Sequence, residues 1–273
     1  MGKYMERQSL SGRVAVVTGG AGILGTECVE ALADSGASVA VVDISLERAL
    51  ETADRISQQY DAAVIGVQCD VSHKDSVTQM VSHVEQSLGP IDILHNNAAS
   101  KSASLENFFN PLEKFSLETW REVMAVNLDG LFLVAQAVGV KMAERGRGSI
   151  IQTASIYGGT MGPDQRIYEG SEYEGRAINT PPVYSASKAG VHGLTLYLAT
   201  YWARAGVRVN TLTPGGIGSG QNGVFNDRYS NRVPMGRMAQ AHEVASGMLF
   251  LASDSASYVT GQNLFVDGGL SAW

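Results

Sequence analysis

From residue 14 onward, short apolar runs alternate with longer stretches in which apolar residues recur at helical spacing. The runs cover 14–18, 38–43, 64–69, 91–96, 149–153, 208–212 and 263–266. Most are continuously apolar instead of alternating with polar positions, which is the pattern of strands covered on both faces. The segments between them, at 22–36, 46–60, 74–88, 117–145, 183–205 and 240–252, read as helices. Seven such alternations specify an α/β fold: a Rossmann-type, doubly wound, seven-stranded parallel sheet with helices on both faces. No internal repeat, low-complexity tract or linker interrupts the series, so one domain spanning 1–273 is expected.

Two stretches break the rhythm. Residues 156–183 carry many Gly, Pro and charged residues, and 214–239 are rich in Gly, Asn and Arg. Both follow strands on the side where ligands sit in open α/β sheets. Loops of this length are usually functional or disordered. Tyr157, Tyr168 and Tyr173 in the first stretch favour order.

Composition narrows the function classes. A hydrophobic share of 44% is ample for a core and excludes disorder as the default state. The net charge of −7 argues against a nucleic-acid-coating protein. Two cysteines cannot form a disulfide framework and fit a reducing compartment. The N-terminal residues lack the apolar core of a signal peptide. The most apolar stretch, 131–140, is short for a membrane span and reads as a buried helix face. Cytoplasmic location without a membrane partner is the expectation.

The turn Thr18-Gly19-Gly20-Ala21-Gly22-Ile23-Leu24-Gly25 follows the first strand and opens the first helix. Glycines there let the backbone approach a pyrophosphate, whose charge meets the helix N-terminus. Asp43 ends the second strand, 18 residues after Gly25. Its carboxylate suits ribose hydroxyls and repels a 2′-phosphate, and no Lys or Arg lies within the turn or immediately after Asp43. NAD is therefore expected over NADP. The same carboxylate would also serve to cap the helix near Leu46. Asp70, ending the third strand, is placed to reach an adenine or to cap the next helix. Asn96-Asn97-Ala98-Ala99 ends the fourth strand with small residues that permit close approach, as a plain turn would.

Tyr184 and Lys188 stand at i,i+4 on a predicted helix, so phenol and ammonium share a face. A cation beside a phenol lowers its pKa and makes a general acid/base for an alcohol or carbonyl oxygen. None of the other nine tyrosines has Lys or Arg four residues later. Ser155, just past the fifth strand, offers a hydroxyl to the same oxygen. Asn127 places a polar amide inside an otherwise apolar helix, as a functional group or as a satisfied core asparagine.

With these motifs in order, the whole chain resembles the classical short-chain dehydrogenase/reductase family. The likeness is carried by the glycine turn, Asp70, Asn96-Asn97-Ala98, Asn127, Ser155, Tyr184, Lys188, Arg208-Val209-Asn210, Pro214-Gly215 and Val266-Asp267-Gly268-Gly269. It implies an Asn127–Ser155–Tyr184–Lys188 tetrad with Tyr184 as acid/base, Ser155 orienting the carbonyl, Lys188 binding ribose and depressing the phenol pKa, and Asn127 holding a relay water. It implies a dinucleotide footprint of Gly19, Gly22, Ile23, Leu24 and Gly25, then Asp43, Ile44, Asp70 and Val71. Asn97, Ala98, Ala99, Tyr184, Lys188, Pro214, Gly215 and Ile217 complete it. No metal is expected, and a homotetramer or dimer is implied.

Four departures stand out. The glycine spacing, Gly19-x-x-Gly22-x-x-Gly25, is more usual in the extended branch of the family. Ala99 replaces the usual Gly. Ser155 and Tyr184 are 29 residues apart, roughly twice the family's usual separation, so an insert sits beside the tetrad. The Thr that often follows Pro-Gly is missing, with Ser219 the nearest substitute.

The insert carries Asp164, Arg166, Glu169, Glu172, Glu174 and Arg176 beside Tyr168 and Tyr173. Polar and aromatic lining suits a polyhydroxylated substrate better than an acyl chain. Expected substrate contacts are Ser155, Tyr157, Arg166 and Tyr168, with Arg228 and Arg232 presenting one cationic face to a carboxylate or phosphate. A solvated loop or subunit contact is the plainer alternative. Residues 163–170, 197–202 and 214–216 also resemble the sugar-modifying, gluconate-dehydrogenase-like members of the family. The leading expectation is an NAD-dependent oxidoreductase acting on a small sugar-like alcohol or ketone. A 3-oxoacyl or other lipid-like ketone reductase and a non-catalytic dinucleotide sensor are the alternatives.

Overall fold

The computed structural model describes residues 2–173 and 175–273; Glu174 of the insert lies outside the described residues. The strands are β1 (Val14–Thr18), β2 (Ser38–Asp43), β3 (Val64–Gln68), β4 (Ile93–Asn96), β5 (Gly148–Thr153), β6 (Glu172–Tyr173), β7 (Arg176–Ala177), β8 (Val207–Pro214) and β9 (Asn263–Val266). Seven of them form one sheet in the order β3-β2-β1-β4-β5-β8-β9, every pair parallel. The expected doubly wound sheet is the observed one. The strand order reverses between β1 and β4, which is where such sheets bind ligands. β6 and β7 make a separate antiparallel hairpin inside the insert.

Neighbouring residues of each strand feed opposite faces, which is why the runs are unbroken. Val16, Leu94 and Ile150 pack under Val84, Val138 and Met142 on one side. Val17, Ile93 and Ile151 pack under Leu32, Ile56 and Met248 on the other.

The expected helix over 117–145 is continuous but not uniform. Leu117–Met124 and Leu131–Arg145 are joined by a π-helical turn, Ala125–Gly130, that contains Asn127. Such turns insert one residue into the α-helical ladder and often mark functional positions. The 29-residue helix Leu117–Arg145 contains an 18-residue stretch of mean hydropathy 1.7, long and apolar enough to cross a membrane by length and composition. Here it is a core helix, with Val134, Val138 and Met142 against the sheet.

The two long loops are ordered against each other. The insert contains a 3₁₀ turn, Gln165–Tyr168, and the β6–β7 hairpin; the second loop contains the helix Gly223–Ser230, capped by Asn222. Tyr157 and Ile167 from the first meet Phe225, Tyr229 and Val233 from the second in a small cluster of their own.

Candidate active site

The glycine turn is built by exclusion of side chains. Gly19 has φ +62°, and a Cβ on it would lie 3.0 Å from the Ala98 Cα. A Cβ on Gly25 would lie 2.1 Å from the Gly19 carbonyl oxygen. Gly25 therefore serves helix-to-turn packing, whereas at Gly22 the nearest atom would be 3.3 Å away. The end of β1 is tied to the end of β4 through Thr18, whose Oγ1 donates to Asn96 Oδ1 at 3.2 Å and accepts from the Asn97 and Ala98 amides at 2.9 and 3.1 Å.

Beside this turn runs an open groove of about 300 Å³ lined by Gly19, Asp43, Ile44, Asp70, Val71 and Ala98. The glycine cradle and this groove fit a dinucleotide. Asp43 accepts from the Ala21 amide at 3.3 Å and the Ser45 amide at 3.2 Å, so it fastens the turn to β2. The following helix, Leu46–Tyr60, is capped by Ser45 instead. Asp70 accepts from the Ser72 amide and hydroxyl at 2.9 and 2.6 Å and faces His73 at 3.1 Å. Ser72 and His73 hold its carboxyl below the usual range. Asp70 thus orders the turn before the helix Lys74–Leu88 while bordering the groove. Ile23 is exposed at the helix start and Leu24 packs toward the core. Sequence reasoning passed over one cation here: the Arg48 guanidinium donates to the Ala21 carbonyl.

The four residues of the expected tetrad stand at the carboxyl end of the sheet. Ser155 follows β5 and caps the next turn, accepting from the Tyr157 amide at 3.2 Å. The helix Pro182–Trp202 starts with proline, whose missing amide is no loss there, and carries Tyr184 and Lys188 on one face. Burial pushes the Tyr184 phenol above its ordinary value, and the Ser155 hydroxyl pulls it part of the way back. The expected depression by Lys188 is not seen. The Lys188 ammonium is directed to the end of β5, donating to the Thr153 carbonyl at 2.9 Å, and burial lowers its own pKa to about 8. Behind it, His95 meets Thr153 Oγ1 at 2.8 Å; burial and the Lys188 charge hold it neutral, with a pKa of about 3. Asn127 is buried and partnered at both ends. Its Oδ1 accepts from the Ser100 amide at 2.8 Å, and its Nδ2 donates to Ser187 Oγ at 3.4 Å.

Ser155 and Tyr184 open onto a cavity of about 390 Å³ whose walls come from both long loops and the segment 99–109. Tyr157 and Tyr168 line it as expected, Tyr168 held by Thr180 at 2.6 Å. Ala99, Gly215 and Ser219 also line it, and Gln221 donates to Ser219 Oγ at 2.8 Å. Pro214 ends β8, while Ile217 bridges to Ala239 and packs toward the core.

The arginines are a correction. Arg166, Arg228 and Arg232 do not line the cavity. Asp164 captures Arg166 at 2.8 Å and Arg232 at 3.6 Å, and Arg228 donates to the Arg166 and Glu169 carbonyls. Paired within the loops, they staple the insert to the second loop and leave no cationic clamp. Among the cavity residues that sequence reasoning missed are Lys101, Phe108, Phe109, Asn179, Thr180, Phe225 and Tyr229. The apolar pair Phe108-Phe109, in a segment without periodicity, was the only local signal.

Residues 13–177 match the short chain dehydrogenase family, and residues 171–271 match the enoyl-(acyl carrier protein) reductase branch. The chain belongs to the short-chain dehydrogenase family. It is an oxidoreductase of a family that binds a nicotinamide dinucleotide. A galactitol 2-dehydrogenase (L-tagatose-forming) from Cereibacter sphaeroides is 36% identical, covering 97% of this chain and 97% of its own. An acetoacetyl-CoA reductase from Allochromatium vinosum is 37% identical, covering 94% and 98%. The crystal structure of a gluconate 5-dehydrogenase from Burkholderia cenocepacia, in complex with NADP and tartrate, superposes with a TM-score of 0.84 at 33% identity over 99% of each chain.

Proposed function

We propose that this short-chain dehydrogenase interconverts a secondary alcohol and a ketone on a sugar-like substrate, using NAD. The observation that carries the reading is the wall of the cavity onto which Ser155 and Tyr184 open. Residues with hydroxyl or amide side chains, Ser155, Asn179, Thr180, Ser219 and Gln221, line it among aromatic rings. Directional hydrogen bonds and flat apolar faces together suit a polyhydroxylated carbon chain. The galactitol and gluconate dehydrogenases among its relatives point the same way.

In the oxidative direction Tyr184 takes the proton of the substrate hydroxyl, and Ser155 holds that oxygen by a hydrogen bond. Lys188, anchored on the Thr153 carbonyl, would hold the ribose hydroxyls of the dinucleotide. Asn127 fixes the loop at Ser100 and the helix beside Tyr184 in one frame. When bound, the nicotinamide dinucleotide supplies the hydride acceptor. For NAD, the support is Asp43 at the groove, carrying negative charge where a 2′-phosphate would lie. Arg48 near the same rim and the NADP held by the gluconate 5-dehydrogenase make this the part to test first.

Thermal shift with each dinucleotide, followed by a screen of polyols, sugar acids and sugar phosphates for formation of reduced nicotinamide, tests the reading. Preferential stabilisation by NAD and turnover of at least one sugar-like alcohol are expected. A clear preference for NADP overturns the Asp43 argument. A second reading, reduction of a 3-oxoacyl thioester, is favoured by Phe108, Phe109 and Phe225 in the wall and by the acetoacetyl-CoA reductase relative. Turnover of acetoacetyl-CoA, with none of the polyols or acids, would establish it instead.

A further inference from the structure

Resting on the sugar-like reading, the geometry points to Lys101 as the group that fixes an anionic substituent, so that the site prefers a polyhydroxylated acid to the neutral polyol. The charges of the insert cannot do this. Asp164 holds Arg166 and Arg232, Arg228 is committed to backbone carbonyls, and Arg176 meets Glu106 at 3.2 Å. Among the described residues that line the cavity, Lys101 is the only charged side chain.

Its ammonium stands 5.0 Å from the centroid of the Tyr173 ring, and Tyr173 is itself part of the cavity wall. Cation–π attraction of this kind positions an ammonium without neutralising it. Among the described residues no carboxylate lies within ion-pair distance of Lys101. A cavity whose described lining holds one cation, no anion and the hydroxyl or amide side chains of Ser155, Thr180, Ser219 and Gln221 is matched to a ligand bearing hydroxyls and one negative charge. Lys101 follows Ser100, the residue pinned by Asn127, so its backbone is tied to the tetrad. It also borders the dinucleotide groove, which makes a cofactor phosphate the rival occupant.

The test compares gluconate with galactitol by calorimetric titration of the enzyme saturated with NAD, and by kcat/KM, in wild type, Lys101→Met and Lys101→Arg. Gluconate is expected to bind about ten-fold more tightly than galactitol in wild type, the worth of one charge-assisted hydrogen bond. Lys101→Met should lower the acid-to-polyol ratio about ten-fold, Lys101→Arg should keep most of it, and salt should erode it. Equal binding of the two ligands, or a ratio that Lys101→Met leaves unmoved, overturns the inference alone. An unmoved ratio with weaker NAD binding assigns Lys101 to the dinucleotide. Binding of neither ligand overturns the sugar-like reading and the inference with it.

Discussion

Replacing Gly25 by alanine puts a methyl group where the structure has no room for one. The added Cβ would lie 2.1 Å from the Gly19 carbonyl oxygen and 2.9 Å from Gly20 Cα. Carbon–oxygen contacts settle near roughly 3.3 Å, so the turn has to open by about 1 Å. Both sides of the clash are backbone, which cannot rotate away as a side chain does. Overpacking costs about 1–3 kcal/mol, and the upper end applies here. For a chain of this size about 3 kcal/mol lowers Tm by about 6–12 °C. The same displacement moves the amides at the helix start, so dinucleotide affinity should fall at least about ten-fold. Gly193→Ala is the matched control. Its Cβ would meet nothing within 4 Å on the helix Pro182–Trp202, so Tm should hold or rise slightly. Differential scanning fluorimetry with and without NAD reads both effects. Wild-type Tm and NAD affinity in Gly25→Ala would refute the reasoning, because the clash would then have been absorbed at no cost.

Two further outcomes follow from the site. Ser155 lowers a Tyr184 pKa that burial has raised, so Ser155→Ala should raise it further. Alcohol oxidation needs the phenolate, so its pH–rate profile should move to more alkaline pH in Ser155→Ala; an unmoved profile with lower kcat would confine Ser155 to substrate orientation. Asp164, with its pKa lowered to about 2 chiefly by the hydrogen bond from Arg166, joins the insert to the second loop. Because its folded pKa is depressed, that support is complete above about 4 and lost as pH falls through about 2. Asp164→Asn should mimic the low-pH state at neutral pH, and limited proteolysis should then cut within 156–183 faster than in wild type. Equal cutting rates would deny Asp164 the joining role.

The sheet was legible because its strands carry apolar residues on both faces, and the boundaries at 14–18, 38–43 and 263–266 coincide with β1, β2 and β9. The four residues expected to form the tetrad stood out because each is a polar group at a strand end or on a helix whose surroundings are apolar. The π-turn around Asn127 was not, since a one-residue change in hydrogen-bond ladder leaves no mark on periodicity. The arginines illustrate the harder limit. Their four-residue spacing suggested one cationic face, but the helix ends at Ser230, and only the folded loops show that Arg232 lies beyond it and pairs with Asp164. Lys101 was missed for the converse reason. It lies in a segment with no repeat pattern, and its place in the wall depends on Tyr173 arriving from another loop.

In the proposed reaction Tyr184 moves the proton in a dinucleotide-dependent oxidation of a sugar-like alcohol. Tyr184→Phe keeps the ring and its packing and removes only the hydroxyl. Single-turnover formation of reduced nicotinamide should fall by at least about a hundred-fold, the usual worth of a general base, while NAD still binds. Turnover of Tyr184→Phe at the wild-type rate would show that another group moves the proton.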